Sequence, residues 1–235
     1  MMTARVESVS PIKINPEFKN AIRLQQSFLT PVERKCLGWL ARKMPAWVTS
    51  DHLTMLGFAA MFVAGMCYFA ARWWPVALLL VNAMLAVNWF GDSLDGTLAR
   101  ARNKLRPRYG FYVDHIVDAF GILFVMCGLA ASGYMSWAIA LGMLAVYFLL
   151  SIDVYLATYT IGTFKMSFYK FGPTELRILL AIGNIKALAR PTVQLLGERY
   201  LFFDVAAVIA MALMAVVVVV SAISNTMTLY RAEKV

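Results

Sequence analysis

The sequence predicts an all-α integral membrane protein, a bundle of six membrane-spanning helices preceded by an amphipathic helix at the membrane interface. Hydrophobic residues make up 61% of the 235 residues and charged residues only 15%, whereas a soluble domain carries about 25% charged residues. Six apolar segments come close to the roughly 20 residues that a helix needs to cross a bilayer. A stretch of helical periodicity rich in basic residues stands before the first of them.

Residues 1–52 are predicted to form a cytoplasmic tail and a juxtamembrane helix. Residues 1–27 are polar and lack the apolar core of a signal peptide. Residues 28–46 combine apolar residues at helical spacing with basic ones, and Pro31 is suited to start a helix that Pro45 ends. This pattern favours a helix lying among the lipid headgroups. The alternative is an ordinary surface helix packed on the bundle.

Residues 53–226 are predicted to form the membrane domain, followed by a cytoplasmic C-terminal tail at 227–235. Arg177, Asn184 and Lys186 interrupt the fifth span, and the sixth is the most uniformly apolar. The predicted spans cover residues 53–72, 74–98, 111–131, 134–161, 174–190 and 200–226.

Basic residues are distributed unequally between the two sides of this topology. The segments on the side of the termini hold eight, five, two and two of them, and the opposite side holds four. This excess predicts that both termini and the acidic motif face the cytoplasm, and the protein is expected in the cell (inner) membrane. The net charge of +9 is then interpreted as attraction to anionic lipid, because no nucleic-acid-binding module is present. The three scattered cysteines form neither a disulfide framework nor a zinc site.

Four carboxylates lie within 27 residues, near the end of the second span and the start of the third, where hydrocarbon makes an isolated charge costly. Asp92 and Asp95 share one helical face with the small residues Gly96 and Ala99, at positions i, i+3, i+4 and i+7. Small residues there allow a bulky ligand to approach the backbone.

A second face follows at Gly110, Asp114 and Asp118, at positions i, i+4 and i+8. If the two faces meet, four acids share a small volume and cannot all ionise alone. An all-oxygen ligand set suits Mg²⁺, Mn²⁺ or Ca²⁺ better than Zn²⁺. Nearby basic residues offer positive charge to phosphates; they are Arg100, Arg102, Lys104, Arg106 and Arg108.

The pattern Asp-x2-Asp-Gly-x2-Ala-Arg-x9-Gly-x3-Asp-x3-Asp resembles the signature of the CDP-alcohol phosphotransferases, integral membrane enzymes of phospholipid synthesis. The resemblance implies transfer of a substituted phosphate group from a CDP-linked donor to an alcohol, with release of CMP. It also implies a lipid substrate taken from the bilayer and a homodimer. All eight signature positions are present, namely Asp92, Asp95, Gly96, Ala99, Arg100, Gly110, Asp114 and Asp118.

The same resemblance implies roles for individual residues. Two divalent cations, Mg²⁺ or Mn²⁺, would be held by Asp92, Asp95, Asp114 and Asp118, and Asp118 would be the general base. The CDP pocket would be lined by Gly96, Ala99, Arg100 and Gly110, with Thr54 nearby. Small residues suited to close helix contacts, within or between subunits, are Gly57, Ala60, Gly65, Gly121 and Gly128.

The identity of the alcohol stays open. Two features look like the choline and ethanolamine phosphotransferases: Asp114-His115, and Thr158-Tyr159-x2-Gly162-Thr163 followed by Thr174-Glu175. The short six-span chain, in contrast, is more usual among enzymes that use CDP-diacylglycerol. His115 and Glu175 are candidates for headgroup contact or for support of the metal ligands, and a structural role is an equal alternative for His115. Asp153, in the fourth span, is expected to form a buried hydrogen bond with a neighbouring Tyr or Thr, and contact with a substrate is the alternative. The rival function is a transporter or scaffold that has lost catalysis, although none of the four acids is missing.

Overall fold

The computed structural model describes residues 22–24, 30–165 and 173–233. These residues form seven helices and four short strands. The helices are α1 (Thr30–Lys43), α2 (Ser50–Ala70), α3 (Ala77–Ala101), α4 (Pro107–Ser132), α5 (Trp137–Thr160), α6 (Pro173–Ala189) and α7 (Phe202–Ala232). The strands are β1 (Ile22–Leu24), β2 (Thr163–Lys165), β3 (Thr192–Leu195) and β4 (Glu198–Leu201).

Five helices, α2, α3, α4, α5 and α7, are long and apolar enough to cross a membrane. The expectation of a helical integral membrane protein is therefore confirmed at this level. The predicted fifth span forms α6, but its 17 residues fall short of the roughly 20 that a bilayer requires. That α6 also crosses the membrane, which would bring the total to six crossings, stays a prediction.

The strands were not foreseen by the all-helical prediction. β3 and β4 pair antiparallel between α6 and α7, and Leu196 and Gly197 form the turn with φ of 52° and 91°. Two consecutive residues of positive φ give the turn whose twist suits a two-residue hairpin. β1 and β2 pair in parallel. The last helix continues six residues past its predicted end at 226, because no glycine or proline follows to stop it.

The helices that carry the acids pack backbone against backbone on α2. A Cβ added at Gly91 of α3 would lie 2.5 Å from the Leu53 carbonyl oxygen, and one at Gly128 of α4 would lie 2.1 Å from that of Gly65. Only glycine allows such an approach. The small residues therefore serve contacts within the chain, so that α2 fixes the spacing of α3 and α4.

Helix α1 is packed against the end of α3 that carries the acidic motif. Leu37 and Ala41 are buried in one cluster with Leu94 and Leu98. Arg102 donates hydrogen bonds to the carbonyl oxygens of residues 44, 45, 46 and 48, the segment that follows α1. This arginine of the basic run is therefore used to hold α1 and the following segment in place.

Candidate active site

A cavity of about 760 Å³ opens where α1, α2, α3, α4 and α6 meet. All four motif acids line it, together with residues from the ends of these helices. Its polar lining includes Glu33, Arg34, Thr54, Ser93, Arg100, Lys104, Arg106, Thr158, Thr174 and Arg177. Acidic and basic side chains therefore face one space, which is large enough for a small-molecule ligand because the pockets that bind such ligands measure about 300–1,000 Å³.

Three of the four acids converge closely. Asp92 of α3 and Asp114 and Asp118 of α4 each offer a carboxylate oxygen, and these oxygens lie within 4.8 Å of one another. Asp114 and Asp118 share a face because they are one helical turn apart. Three like charges this close repel unless a cation or a proton intervenes. An all-oxygen set of this kind could bind a metal ion of the Mg²⁺, Mn²⁺ or Ca²⁺ type.

Asp95 lies in the same cavity and is held by its own partners. Its Oδ2 accepts a hydrogen bond from Thr54 Oγ1 at 2.5 Å, and its Oδ1 accepts one from the Gly96 backbone N–H. Thr54 belongs to α2, so the hydroxyl arrives across the contact between α2 and α3. The structure thus brings Thr54 beside the motif, as the sequence predicts.

Arg177 of α6 contacts the acidic centre directly. Its Nη2 donates to Asp92 Oδ2 at 2.5 Å and its Nε donates to Asn88 Oδ1 at 2.8 Å. The Asn88 amide in turn donates to the Gly57 carbonyl oxygen at 3.1 Å. Sequence reasoning missed Asn88, although a polar residue in an apolar span one turn before a motif acid is a recognisable signal.

Glu33 of α1 is a second residue that the sequence did not single out. Its Oε1 accepts hydrogen bonds from Trp89 Nε1 at 2.7 Å, Ser93 Oγ at 3.3 Å and Thr174 Oγ1 at 2.8 Å. These donors come from α3 and α6. One carboxylate therefore joins three helices beside the cavity.

The residues predicted for the CDP pocket all line the cavity. Gly96, Ala99, Arg100 and Gly110 form part of its wall. Arg100 donates to Thr97 Oγ1 at 3.1 Å and is an exposed residue. A Cβ added at Gly110 would meet nothing within 4 Å, so the space beside this glycine is open.

His115 and Glu175 are not among the described residues that line the cavity. The His115 ring packs between Phe111 and Tyr155, at centroid distances of 4.2 and 4.7 Å. Its Nδ1 lies 2.6 Å from the Phe111 carbonyl oxygen and 3.8 Å from Asp114 Oδ2. Glu175 is buried at the start of α6, with 8% of its surface exposed. Their predicted roles in headgroup contact or in support of the metal ligands stay predictions.

Sequence comparison agrees with this geometry. The sequence profile described as CDP-alcohol phosphatidyltransferase matches residues 47–224, which include both helices of the motif and most of the bundle. The chain belongs to the CDP-alcohol phosphatidyltransferase family. The resemblance seen in the eight signature positions is thereby confirmed over most of the chain.

Two proteins that are similar in sequence to this chain are named for different activities. Archaetidylinositol phosphate synthase of Pyrococcus horikoshii is 28% identical over 113 residues, 48% of this chain and 53% of the relative. Cholinephosphotransferase 1 of Xenopus laevis is 27% identical over 172 residues, 67% of this chain and 40% of the relative. The chain thus matches about half or less of the length of these two proteins.

Proposed function

We propose that the protein is a CDP-alcohol phosphotransferase of phospholipid biosynthesis. It transfers a substituted phosphate group from a CDP-linked donor to an alcohol and releases CMP. The observation that carries the proposal is the convergence of Asp92, Asp114 and Asp118 in a cavity whose wall also holds Asp95 and Arg100. One relative is named as a synthase of archaetidylinositol phosphate and the other as a cholinephosphotransferase, and both names are compatible with transfer of a substituted phosphate group.

The reaction makes distinct demands on the side chains. The acceptor oxygen forms a bond to the β-phosphorus of the donor, the bond from that phosphorus to the bridging oxygen breaks, and CMP leaves with the oxygen. The proton of the acceptor hydroxyl passes to the Asp118 carboxylate, which acts as the general base. Arg100 faces the phosphates of the CDP-linked donor. Room for the nucleotide is left by Gly96, Ala99 and Gly110. Thr54 holds Asp95 in place through its hydrogen bond.

The acidic set fits a divalent metal centre. We propose that Asp92, Asp95, Asp114 and Asp118 hold two cations, Mg²⁺ or Mn²⁺. Bound there, the cations would neutralise charge on the diphosphate. Support comes from the all-oxygen donors and from the mutual repulsion of three carboxylates within 4.8 Å of one another.

The proposed reaction is tested by release of CMP from the purified protein in lipid with Mg²⁺ or Mn²⁺. One mixture contains CDP-diacylglycerol with a panel of polar alcohols, and the other contains CDP-choline or CDP-ethanolamine with diacylglycerol. Release in one mixture, abolished by a chelator, is expected and identifies the donor. Binding of nucleotide without release in either mixture would favour a transporter or scaffold that has lost catalysis.

Replacement of Arg100 by alanine is expected to weaken the apparent affinity for the CDP-linked donor by about tenfold or more, because a charge-assisted contact to phosphate is worth roughly 1.5–3 kcal/mol. Arg100→Lys keeps the charge and is the matched control, with a smaller loss. The apparent donor KM in the CMP assay measures both. An unchanged KM in the alanine variant would exclude Arg100 from phosphate binding.

We propose the following placement in the membrane. The bundle of residues 53–226 crosses six times, with α6 as the fifth crossing, between the segments 1–52 and 227–235. The cavity and both termini face the cytoplasm at the cell (inner) membrane, as the distribution of basic residues favours. Helix α1 lies among the headgroups, which is supported by Trp39, 55% exposed on its outer face. A homodimer rests on the family resemblance alone.

A further inference from the structure

Asn88 is a buried amide that joins α3 to both α2 and α6, beside the first half of the acidic motif. It belongs to α3, one turn before Asp92, and only 5% of its surface is exposed. Its side-chain N–H donates to the Gly57 carbonyl oxygen of α2, and its oxygen accepts from Arg177 Nε of α6. Both polar ends of the amide are therefore used, and the direction in which it points is determined.

The orientation of Asn88 is transmitted to Asp92 through Arg177. The guanidinium is planar and rigid, so that anchoring Nε on Asn88 sets the direction of Nη2. Nη2 then reaches Asp92 Oδ2 at 2.5 Å. Asp92 is thus held by one of its two oxygens in a single orientation, with the carboxylate beside Asp114 and Asp118.

We infer that Asn88 is a positioning residue for the acidic centre and acts through Arg177 to hold Asp92 in the orientation that binds a cation. The inference rests on the metal centre of the proposed function. Partners that orient a ligating carboxylate matter nearly as much as the ligand, and their loss typically costs about 10–100-fold in metal affinity or activity. Asn88 lies outside the eight signature positions, and nothing in the motif itself assigns it a role.

A second amide of α3 that also bonds to α6 provides the comparison. Asn82 of α3 donates to the Ala181 carbonyl oxygen at 3.1 Å and accepts from Asn184 Nδ2 at 2.7 Å. It joins α3 to α6 as Asn88 does, but lies six residues earlier, about 9 Å along the helix axis. No motif acid is in its hydrogen-bond network as described here.

The test is binding of Mn²⁺ alone to the purified protein, followed by electron paramagnetic resonance, with thermal unfolding of each variant as a check of folding. Asn88→Leu and Arg177→Ala are each expected to weaken Mn²⁺ binding by about tenfold or more. The double variant should bind no more weakly than Arg177→Ala, because one residue acts through the other. Asn82→Leu should keep wild-type affinity.

Asn88→Asp keeps the acceptor for Arg177 and loses the donor for Gly57, so that it should retain Mn²⁺ affinity where Asn88→Leu loses it. This variant also serves if Asn88→Leu does not fold. Equal losses in the Asn82 and Asn88 leucine variants would overturn the inference, and so would tighter binding in Arg177→Ala, which would make Arg177 a competitor of the cation. If the unaltered protein itself does not bind Mn²⁺, the proposed metal centre is contradicted, which is a separate result.

Discussion

Replacement of Asp118 by asparagine is expected to reduce CMP release by at least about 10²–10⁴-fold, the contribution typical of a positioned general base. The amide has nearly the same volume as the carboxylate but cannot take up the proton of the acceptor hydroxyl. It also removes one of the three carboxylates that lie within 4.8 Å of one another. The measurement is the initial rate of CMP release in lipid with saturating donor and acceptor.

A matched control is available in the same bundle. Asp153 of α5 accepts a hydrogen bond from Ser221 Oγ of α7 at 2.5 Å and is not among the described residues that line the cavity. Asp153→Asn should therefore keep most of the turnover. The assignment of Asp118 as the general base is wrong if Asp118→Asn retains substantial activity. If Asp118→Asn and Asp153→Asn lose CMP release equally, the loss reflects a general effect of removing an acid within the membrane.

Gly128→Ala is expected to destabilise the fold by about 3 kcal/mol or more, at the upper end of the cost of overpacking a core. The added methyl carbon would lie 2.1 Å from the Gly65 carbonyl oxygen, and backbone on both sides cannot move aside as a side chain can. Helices α2 and α4 would have to separate. Thermal unfolding of the purified protein in detergent measures the change.

Gly142→Ala is the control for this effect, because its methyl group would meet Met211 Sδ at 3.1 Å, and a thioether side chain can shift. Its unfolding temperature should stay close to that of the unaltered protein. If Gly128→Ala were equally stable, the close contact between α2 and α4 would not be a feature of the folded protein.

The acidic centre could be predicted because the spacing that reveals it lies between residues that are close together in the sequence. The intervals between Asp92 and Asp95, and between Asp114 and Asp118, place acids on one face of each helix whatever surrounds them. The long apolar segments on both sides then require helices. Local spacing therefore predicts the helices and the faces that carry the acids, whereas the place of Thr54 came from the family resemblance.

Contacts between helices distant in the chain could not be foreseen. Asn88 and Arg177 are 89 residues apart, and Glu33 and Thr174 are 141 apart; no local periodicity relates such pairs. The partner of Asp153 was expected to be a Tyr or Thr, but it is Ser221, on a helix that the sequence does not pair with α5. The β3–β4 hairpin depends on a leucine of positive φ, a conformation that sequence alone does not favour.

The three hydrogen bonds to Glu33 have a consequence for what counts as the functional unit. The family profile begins at residue 47, after α1 has ended, and a fragment cut there would retain every signature residue. It would nevertheless lack Glu33 and with it one wall of the cavity, leaving Trp89, Ser93 and Thr174 without their common acceptor. The family match therefore begins after α1, whereas the lining of the cavity begins within it.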